Sequence, residues 1–531
     1  MARDPMVEVE LVAAPGSPPG APTGAHAPVG PAAPGPDRAR DRRRGRLLVA
    51  GAAAVVAGLL VTQAVLDAHE RAAYARVADV PGVLLPVGDG LEPLWPADRA
   101  AAAGEWAATT WSGPRGRSDG LSLGATFDAD GVPRAAAFDA TTGEVLWSVE
   151  LAEPDPVLAA EGTGWWIHCE STTAGRHLLA CVVPQQHVAA QPDEDPDAVE
   201  GDRLLVPTAA ELVVLDARTH EEVLRVAVAP LATLALLGDL VVTAHAGPDR
   251  SMTVAARDLR TGADVWSHTT PPGTAREPRH GDPRESTPML GRLGETVVVQ
   301  GGASVVRLAA DGSLVSTSPL DAGERDFAYV HVARERHAVL QVYPRDSGSG
   351  RALLLDADGA WVDLPSAEPV RLPVDDGSEP DLLLLAGRDL SDGIVAYDVR
   401  AREVRWELAH AGGDVAVVLG GTLYLSTREG GLLALDLADG TELWRAELGP
   451  DERWPGGYSP EIATDGRVVL LLHDQDTGGS GQGPTVTAHA LADGRRLWSQ
   501  PLPDGVDYLG PAGRVLLGRG GDDGRVVQAY G

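Results

Sequence analysis

Lysine and asparagine do not occur in the sequence, and only two cysteines and three phenylalanines are present among its 531 residues. The first two absences exclude every site that needs a lysine amine or an asparagine amide. With two cysteines, at most one disulfide can form within the chain. Neither cysteine lies near the apolar N-terminal segment, so bacterial lipidation is not expected there.

Basic residues are also scarce. The chain has 44 Lys+Arg against 76 Asp+Glu, which gives a formal net charge of −32. A polyanionic partner needs a basic surface, so we expect no nucleic-acid binding. A chain of 531 residues is longer than one ordinary core organises, and it therefore predicts several domains or a repeat architecture.

The N-terminal region predicts a membrane anchor. Residues 1–46 are expected to form a disordered cytoplasmic arm, because Pro, Ala and Gly dominate its first part and six arginines crowd residues 38–46. Residues 47–66 carry no charge and are long enough to span a bilayer as one helix. The arginines favour a cytoplasmic N-terminus. After a linker, 67–79, residues 80–531 are then predicted to lie outside the cytoplasm.

Two export signals compete with a permanent anchor. A cleaved signal peptide would use Ala73-Tyr74-Ala75, which has the A-x-A form but lies well past the apolar run. A twin-arginine signal would use Arg43-Arg44, although no apolar residue follows where one is expected. We therefore predict a single-pass protein of the cell membrane.

One hairpin-like stretch recurs along the chain. In LLALDLADGTELW, residues 432–444, an apolar strand ends in an Asp, a turn follows, and the return strand ends in a Trp. The spacing from Trp406 to Trp444 is close to the length of one four-stranded blade of a β-propeller. The clear copies cover 135–147, 212–224, 254–266, 394–406, 432–444 and 486–498, and looser copies cover 305–315 and 353–362.

Each position of the repeat has a structural reason. The Asp caps the turn with its own side chain, and the Gly supplies a positive φ at little steric cost. The Trp wedges between neighbouring blades; a stack of carbohydrate- or quinone-binding aromatics is the functional alternative. The residues predicted to have these structural roles are Asp139, Gly143, Trp147, Asp258, Gly262, Trp266, Asp398, Trp406, Asp436, Gly440, Trp444, Gly494 and Trp498.

The two ends of the repeat region are complementary. Residues 524–531 match the strand before the turn, and residues 90–95 match an outer strand with no partner of its own. Their pairing closes a ring and removes exposed sheet edges. The candidate outer strands lie at Trp95, Trp147, Leu224, Trp266, about Ser316, about Asp363, Trp406, Trp444 and Trp498. Because propellers typically have four to eight blades, we interpret one loose copy as an excursion and predict eight blades, with seven or nine open.

The two cysteines predict a disulfide. Cys169 and Cys181 lie symmetrically about Gly175, so a hairpin turning there pairs them, and export places them in a disulfide-permissive compartment. Two buried thiols in one blade are the alternative. The carboxylate run 193–197 is interpreted as a solvated insertion rather than a calcium loop. No histidine spacing indicates a metal site, and no catalytic residue is assigned.

The pattern A-x-D-x-x-T-G-x-x-x-W, carried best by residues 137–147 and 434–444, resembles a known family. It is similar to the repeat of pyrroloquinoline-quinone-dependent alcohol dehydrogenases and of non-catalytic relatives such as the propeller lipoprotein of the outer-membrane β-barrel assembly machinery. The resemblance covers nearly everything from about residue 80 to 531. It implies an all-β, quinoprotein-like β-propeller.

For the catalytic members, the resemblance implies a calcium ion held by carboxylate and amide oxygens, an Asp general base, and often a disulfide between adjacent cysteines under the quinone. Here the cysteines are not adjacent, and the usual amide ligand and the lysine are missing. We therefore expect no cofactor and no enzymatic activity. The alternative is a quinone- and calcium-dependent oxidoreductase.

These observations favour a membrane-anchored extracytoplasmic propeller that binds or scaffolds other envelope proteins. The external sensor of a signalling protein is a further interpretation. The cytoplasmic part limits it, because residues 1–46, without a folded domain, hold no kinase.

Overall fold

The structure of the chain is a computed structural model. The chain divides into two compact units, Met1–His69 and Glu70–Gly531. The predicted arm, 1–46, and the predicted membrane helix, 47–66, lie outside the described residues, and no described helix is long and apolar enough to cross a membrane. The structure describes residues 74, 77–107, 117–118, 121–128, 130–161, 167–172, 177–190, 204–278, 282–302, 304–320, 327–334, 336–343, 350–366, 368–387, 393–409, 413–427, 431–447, 461–473, 485–503, 505–520 and 525–531.

The described part of the second unit forms nine β-sheets, the blades, numbered here along the chain; their strands pair antiparallel apart from one parallel pair in blade 7. Blade 1 contains β1 (Arg117–Ser118), β2 (Leu121–Phe127), β3 (Pro133–Asp139) and β4 (Glu144–Glu150). Blade 2 contains β5 (His168–Ser171), β6 (Leu178–Ala190), β7 (Leu204–Asp216) and β8 (Glu222–Val228). Blade 3 contains β9 (Thr233–Leu237), β10 (Leu240–Ala246), β11 (Met252–Asp258) and β12 (Asp264–Thr269).

Blade 4 contains β13 (Met289–Leu293), β14 (Thr296–Gln300), β15 (Ser304–Ala309) and β16 (Leu314–Pro319). Blade 5 contains β17 (Phe327–Ala333), β18 (His337–Tyr343), β19 (Arg351–Leu355) and β20 (Trp361–Asp363). Blade 6 contains β21 (Glu368–Pro369), β23 (Leu382–Ala386), β24 (Ile394–Asp398) and β25 (Glu403–Leu408). The strand β22 (Arg371–Asp375) lies between β21 and β23 in the chain but belongs to blade 7.

Blade 7 contains β22, β26 (Val415–Leu419), β27 (Thr422–Ser426), β28 (Leu432–Asp436) and β29 (Glu442–Ala446). Blade 8 contains β30 (Glu461–Thr464), β31 (Val468–His473), β32 (Thr485–Ala490) and β33 (Arg496–Pro501). Blade 9 contains β34 (Tyr508–Ala512), β35 (Val515–Gly520) and β36 (Arg525–Tyr530). The described helices are α1 (Ala97–Ala107), α2 (Pro156–Glu161) and a 3-10 turn, Pro283–Ser286.

Position within the blade explains the hydrophobic pattern. In blade 7, β28 is the third strand when the extra strand β22 is not counted. It is buried from Leu432 to Leu435, because neighbouring blades cover both of its faces. The outer strand of the blade, β29, is largely exposed. A continuous apolar run followed by a mixed strand is therefore the sequence signature of a third and fourth strand.

The two ends of the repeat region close the ring, as the sequence predicts. The N–H of Leu94 donates to the carbonyl of Ala529 at 2.8 Å, and Pro93 pairs antiparallel with Tyr530. Residues 92–94 thus supply the fourth strand of blade 9. In blade 9, the third and fourth strands come from the two ends of the repeat region, so no turn joins them as it does in the other blades.

The hydrophobic core is divided among the blade interfaces. Nine clusters of buried side chains occur among the described residues, one between each pair of consecutive blades and one between blades 9 and 1. Each blade is therefore held by two neighbours, as in a closed propeller.

The predicted count of eight blades is wrong, because the described chain has nine. All nine candidate outer strands belong to blades. The loose copy 305–315 forms β15 and the start of β16, and the loose copy 353–362 forms parts of β19 and β20. These two blades lack the Trp that five of the six clear copies have at the repeat position. The interpretation of one loose copy as an excursion is wrong, because both form blades.

Blade 7 has a fifth strand that the sequence pattern did not predict. After β21 the chain leaves blade 6, and β22 pairs in parallel with β26, with Val374 opposite Val417. Arg334 holds the end of this strand: its guanidinium forms two 2.6 Å hydrogen bonds with Asp375 and one of 2.7 Å with the carbonyl of Leu382. β21 is short and pairs only with Leu385 and Ala386 of β23. On that side of β23, the part that contains Leu382 has no neighbouring strand, so its carbonyl can accept the bond from Arg334.

Candidate functional site

The two faces of the propeller differ in their connections. Turns from the first to the second strand and from the third to the fourth strand lie on one face, which we call the turn face. Connections from the second to the third strand and between blades lie on the other, the loop face. Apart from the passage through β22 in blade 6, the turn-face connections have two to six residues. On the loop face, residues 191–203 join β6 to β7, residues 270–288 join β12 to β13, and residues 474–484 join β31 to β32.

Charged side chains collect where the first strands begin, at the loop-face end of the inner strands, which we call the mouth. A nitrogen of the Arg371 guanidinium lies 2.9 Å from a Glu461 carboxylate oxygen and 3.9 Å from an Asp414 oxygen. The Arg371 side chain is 58 % exposed, so solvent screens these interactions. Burial lowers the pKa of Arg371, but the charge and hydrogen bond of Glu461 outweigh it and raise the pKa overall. The cation is therefore already matched by carboxylates.

Glu368 lies at the same end of blade 6. Burial, followed by the negative charge of Asp414, raises the pKa of its carboxyl group, while Arg371 opposes the shift. At the mouth, Glu461 and Asp414 therefore lie next to Arg371, while the Glu368 carboxyl group is more buried and has a raised pKa. No group of three or more His, Cys, Asp or Glu side chains among the described residues is placed to hold a metal ion.

Aromatic side chains of blade 5 lie near this end too. The rings of Tyr329 and Tyr343 stack with centroids 5.7 Å apart, and their hydroxyl oxygens lie 3.2 Å apart. His331 contacts Tyr329 edge-on at 4.8 Å. Burial is the main cause that raises the pKa of Tyr343, so this hydroxyl stays protonated and serves as a hydrogen-bonding group. The sequence analysis missed this cluster, because nothing in the repeat marks Tyr329.

The two cysteines are joined by a disulfide, with sulfurs 2.09 Å apart. Cys169 on β5 and Cys181 on β6 face each other directly across the strand pair. Both side chains belong to the packed core between blades 1 and 2. The disulfide therefore ties a first strand to a second strand within one blade.

The repeat aspartates cap their turns. One oxygen of Asp139 accepts hydrogen bonds from the Thr141 N–H at 2.7 Å and the Thr141 hydroxyl at 2.6 Å. Asp258 accepts the corresponding pair from Thr261, both at 2.8 Å. Asp398 and Asp436 each accept a backbone N–H two residues later, from Arg400 and Ala438 respectively.

The repeat glycines adopt a positive φ against an outer-strand residue of the preceding blade. Gly440 has φ 74°, and a Cβ there would lie 2.7 Å from the Trp406 ring. The same close approach joins Gly494 to Trp444. At this position of other repeats, His220 and Arg402 also take a positive φ, 53° and 57°. The turn geometry thus persists without glycine. The matching contacts are Gly143 with Trp95 and Gly262 with Leu224.

The repeat tryptophans lie between neighbouring blades, and their indole N–H groups donate across the interface. Trp147 donates to the Ala217 carbonyl and Trp266 to the Ala310 carbonyl, both at 2.8 Å. The acceptors for Trp406, Trp444 and Trp498 are Leu437, Leu491 and Gly88, at 3.0, 2.9 and 3.0 Å. Sequence reasoning predicted the wedge but missed the hydrogen bond. The repeat residues are therefore interface residues and do not line the mouth.

The described residues do not fit a quinone with its calcium ion. The cysteines form a cross-strand disulfide within a blade core rather than an adjacent pair. The mouth arginine is engaged by Glu461, and the nearby carboxylates are not placed as a metal-binding group. The carboxylate run 193–197 lies outside the described residues.

A protein-family model described as outer membrane protein assembly factor BamB matches residues 131–344 and 391–528. A solved structure of BamB from Moraxella catarrhalis is similar at 16 % identity and TM-score 0.34, over 78 % of this chain and 94 % of that one. A europium-containing methanol dehydrogenase is similar at 13 % identity and TM-score 0.33, over 67 % and 81 %. A eukaryotic initiation factor is similar at 11 % identity and TM-score 0.44, over 79 % and 88 %. No curated protein sequence matches the chain.

Proposed function

We propose, from the premise that the chain belongs to the β-propeller family of outer membrane protein assembly factor BamB, that it is a protein-binding or scaffold module of the cell envelope. In this proposal residues 47–66 anchor the chain in the cell membrane, residues 1–46 stay in the cytoplasm, and the propeller lies outside. It works without a catalytic site or a cofactor.

The asymmetry between the two faces carries this proposal. Apart from the passage through β22, turn-face connections have two to six residues, a length set by the hairpins themselves. The loop face holds much longer connections, such as 191–203 and 270–288, which the blades do not need for their own pairing. Long loops on a rigid scaffold are where binding surfaces are generally found. The loop face is therefore the proposed binding surface.

The residues at the mouth also support binding rather than redox chemistry. Arg371 is paired with Glu461, and the disulfide lies within a blade core.

Crosslinking of the full chain in its native membrane, followed by purification and mass spectrometry, tests the binding function. We expect specific envelope proteins that are absent when an unrelated anchored protein is purified in the same way. The same preparation is tested for pyrroloquinoline quinone binding with added calcium and for reduction of an artificial electron acceptor with alcohols or sugars. Quinone binding with dye reduction would replace this proposal by the oxidoreductase alternative.

The proposed location has its own test. A reporter that fluoresces only in the cytoplasm is expected to be dark when fused after Gly531, and protease added to wall-stripped cells should remove the propeller. Cytoplasmic fluorescence with a protected propeller would contradict the proposed topology.

A further inference from the structure

The two sides of blade 5 differ in chemistry. Side chains of β17 and β18 alternate between the side that faces blade 4 and the side that faces blade 6. Those facing blade 4 are apolar and belong to the core between blades 4 and 5; they are Val330, Val332, Leu340 and Val342. On the side facing blade 6, Ala333 and Val339 join a core only near the turn face. Toward the mouth, that side carries polar and aromatic side chains instead, which are Tyr329, His331, Gln341 and Tyr343.

Blade 6 covers these side chains only in part. Its first strand, β21, has two residues and pairs only with Leu385 and Ala386 of β23, and the chain then crosses to blade 7 as β22. Tyr329 and Tyr343 therefore remain half-buried at the mouth. Valines pack the opposite side of the same strands, so the fold itself does not need tyrosines at these positions.

Hydrogen bonds fix the tyrosine pair. Gln341, which is only 1 % exposed, donates from its Nε2 to the Tyr343 hydroxyl at 3.1 Å. The Tyr343 hydroxyl oxygen lies 3.2 Å from that of Tyr329, and the two rings stack. The pair is thus a preformed aromatic surface, which a ligand meets without a further cost of ordering.

Glu368 places a negative charge beside this surface. The charge adds to the burial that raises the pKa of Tyr343, so the carboxylate lies within electrostatic range of the tyrosine pair. The charge of Asp414 raises the pKa of Glu368 more than Arg371 lowers it. A net negative potential therefore acts on Glu368 although an arginine lies close by.

The charges at the mouth do not balance. Arg371 lies 2.9 Å from Glu461 and 3.9 Å from Asp414, so two carboxylates share its charge before Glu368 is counted. His331 does not offset the excess, because partial burial lowers its pKa and favours the neutral ring. Among the described groups of the mouth, three carboxylates thus face one guanidinium, and a further cation would complement them.

We propose that the mouth binds a lysine or arginine side chain of the partner protein, with the cation beside Glu368 and Asp414 and against the Tyr329–Tyr343 pair. We call this place the cation site. A cation is attracted both to carboxylates and to the face of an aromatic ring, so one group is complementary to both parts of the site. This inference rests on the proposed binding function and assigns it to named residues of the loop face.

A photocrosslinking amino acid at Met289 of the full, membrane-bound chain tests the inference. Met289 is 46 % exposed and lies opposite Gln300. The Gln300 side chain forms 2.6 Å hydrogen bonds with the backbone on both sides of Tyr329, so Met289 lies beside the cation site. Leu314, on the outer strand of the same blade and 53 % exposed, is the matched control position. We expect an adduct at Met289 and none of that mass at Leu314, with lysine or arginine in the crosslinked partner peptide.

Two substitutions of Glu368 test the role of its charge. Glu368→Gln keeps the shape but removes the charge, and it should lower the yield of the Met289 adduct about tenfold. Glu368→Lys supplies a cation from the chain itself and should lower the yield further. Neither should lower the melting temperature, because both remove the repulsion from Asp414. Glu447→Gln, at an exposed position that follows the outer strand of blade 7, is the control and should leave the yield unchanged.

Three results would overturn the cation site. They are a Met289 adduct whose yield is unchanged by both substitutions of Glu368, a crosslinked partner peptide without lysine or arginine, or adducts at other loop-face positions but none at Met289. Each of these leaves the proposed binding function standing. Absence of adducts from every loop-face position would instead contradict the proposed function itself.

Discussion

The indole Nε1 of Trp444 donates a 2.9 Å hydrogen bond to the carbonyl of Leu491 in the next blade. The acceptor is the residue after the aspartate position of the repeat, which Ala490 occupies here; in the same way Trp147 donates to Ala217, which follows Asp216. One side chain therefore joins two blades by packing and by a polar contact. In a repeat that keeps the Asp, such as the one with Asp216, the turn that the Asp caps is also the turn that receives the Trp of the preceding blade.

Truncation of Trp444 should destabilise the propeller. Trp444→Ala removes the side chain from the core between blades 7 and 8 and should reduce the free energy of unfolding by about 3–5 kcal/mol. Trp444→Phe keeps most of the packing but loses the hydrogen bond to Leu491, so it should cost less. Leu443→Ala, at a neighbouring position that is 52 % exposed, is the control, with an effect within about 0.5 kcal/mol. Denaturant unfolding measures all three; equal effects of Trp444→Ala and Leu443→Ala would refute the interface role.

Two glycines allow the cost of a left-handed backbone to be measured separately from the cost of a steric contact. Gly440 and Gly421 have nearly the same φ, 74° and 75°, but only at Gly440 would a Cβ meet a neighbour, the Trp406 ring at 2.7 Å. Gly421→Ala should cost about 1–2 kcal/mol from the left-handed backbone alone. Gly440→Ala should cost about 1–3 kcal/mol more, because the indole must shift. Thermal unfolding of both variants decides the matter, and identical losses would show that the Trp406 contact is unimportant.

The contacts of Arg334 with Asp375 and Leu382 should contribute far more to the free energy of unfolding than an exposed ion pair does. Its side chain is 5 % exposed and bonds Asp375 at the end of β22, so Arg334→Ala should cost about 3–5 kcal/mol by leaving a partly buried carboxylate and carbonyl unsatisfied. Arg400 is 79 % exposed and forms a 2.8 Å pair with Asp381. Arg400→Ala should therefore cost less than about 1 kcal/mol. Comparable losses in chemical denaturation would show that Arg334 does not hold β22.

The Asp155–His187 pair should give a pH-dependent stability. Burial raises the pKa of Asp155, but hydrogen bonds from the His187 backbone and ring outweigh burial and lower it below 3.8. The folded state therefore binds this proton more weakly than the unfolded chain does. The stabilisation is present above the ordinary pKa and is lost as pH falls through the lowered folded value.

Urea unfolding of wild type and Asp155→Asn at several pH values tests this dependence. The difference in unfolding free energy, about 1–3 kcal/mol at neutral pH, should shrink below about pH 4. Glu153→Gln, at an exposed position of the same connection, should show no such trend. A constant difference down to about pH 2 would contradict the account of Asp155.

The disulfide should stabilise the propeller. Replacing Cys169 and Cys181 together with serine should lower the free energy of unfolding by about 2–3 kcal/mol, since the bridge closes a short loop. Alkylation of the protein, purified from its native cells without reductant, followed by intact-mass measurement should show no labelled thiol. Two labelled thiols would refute the bridge.

Periodic features were predictable from the sequence because each blade repeats the same local chemistry. The register of Trp147 and Trp444, the pairing of the chain ends and the cysteine pair all follow from local strand and turn patterns. The blade count failed where the repeat loses its Trp, around Ser316 and Asp363, because a weak copy and an excursion look alike in one sequence.

Contacts between distant residues left no such signal. Arg334 and Asp375 are 41 residues apart, and Asp155 and His187 are 32 residues apart; neither pair has a periodic pattern. The parallel pairing of β22 and the partial cover of Tyr329 and Tyr343 depend on where neighbouring strands stop. A hydrophobic pattern marks strands, but it does not fix which strand edges meet.

Site-specific photocrosslinking in native membranes compares the two faces of the propeller directly. Crosslinkers are placed at Glu153 and Pro248 on the loop face and at Arg218 and Ala438 on the turn face, all exposed positions. If partners bind the loop face, partner-protein adducts are expected from the loop-face positions and none from the turn-face positions. Adducts of equal yield from both faces, or from the turn face alone, would contradict binding at the loop face.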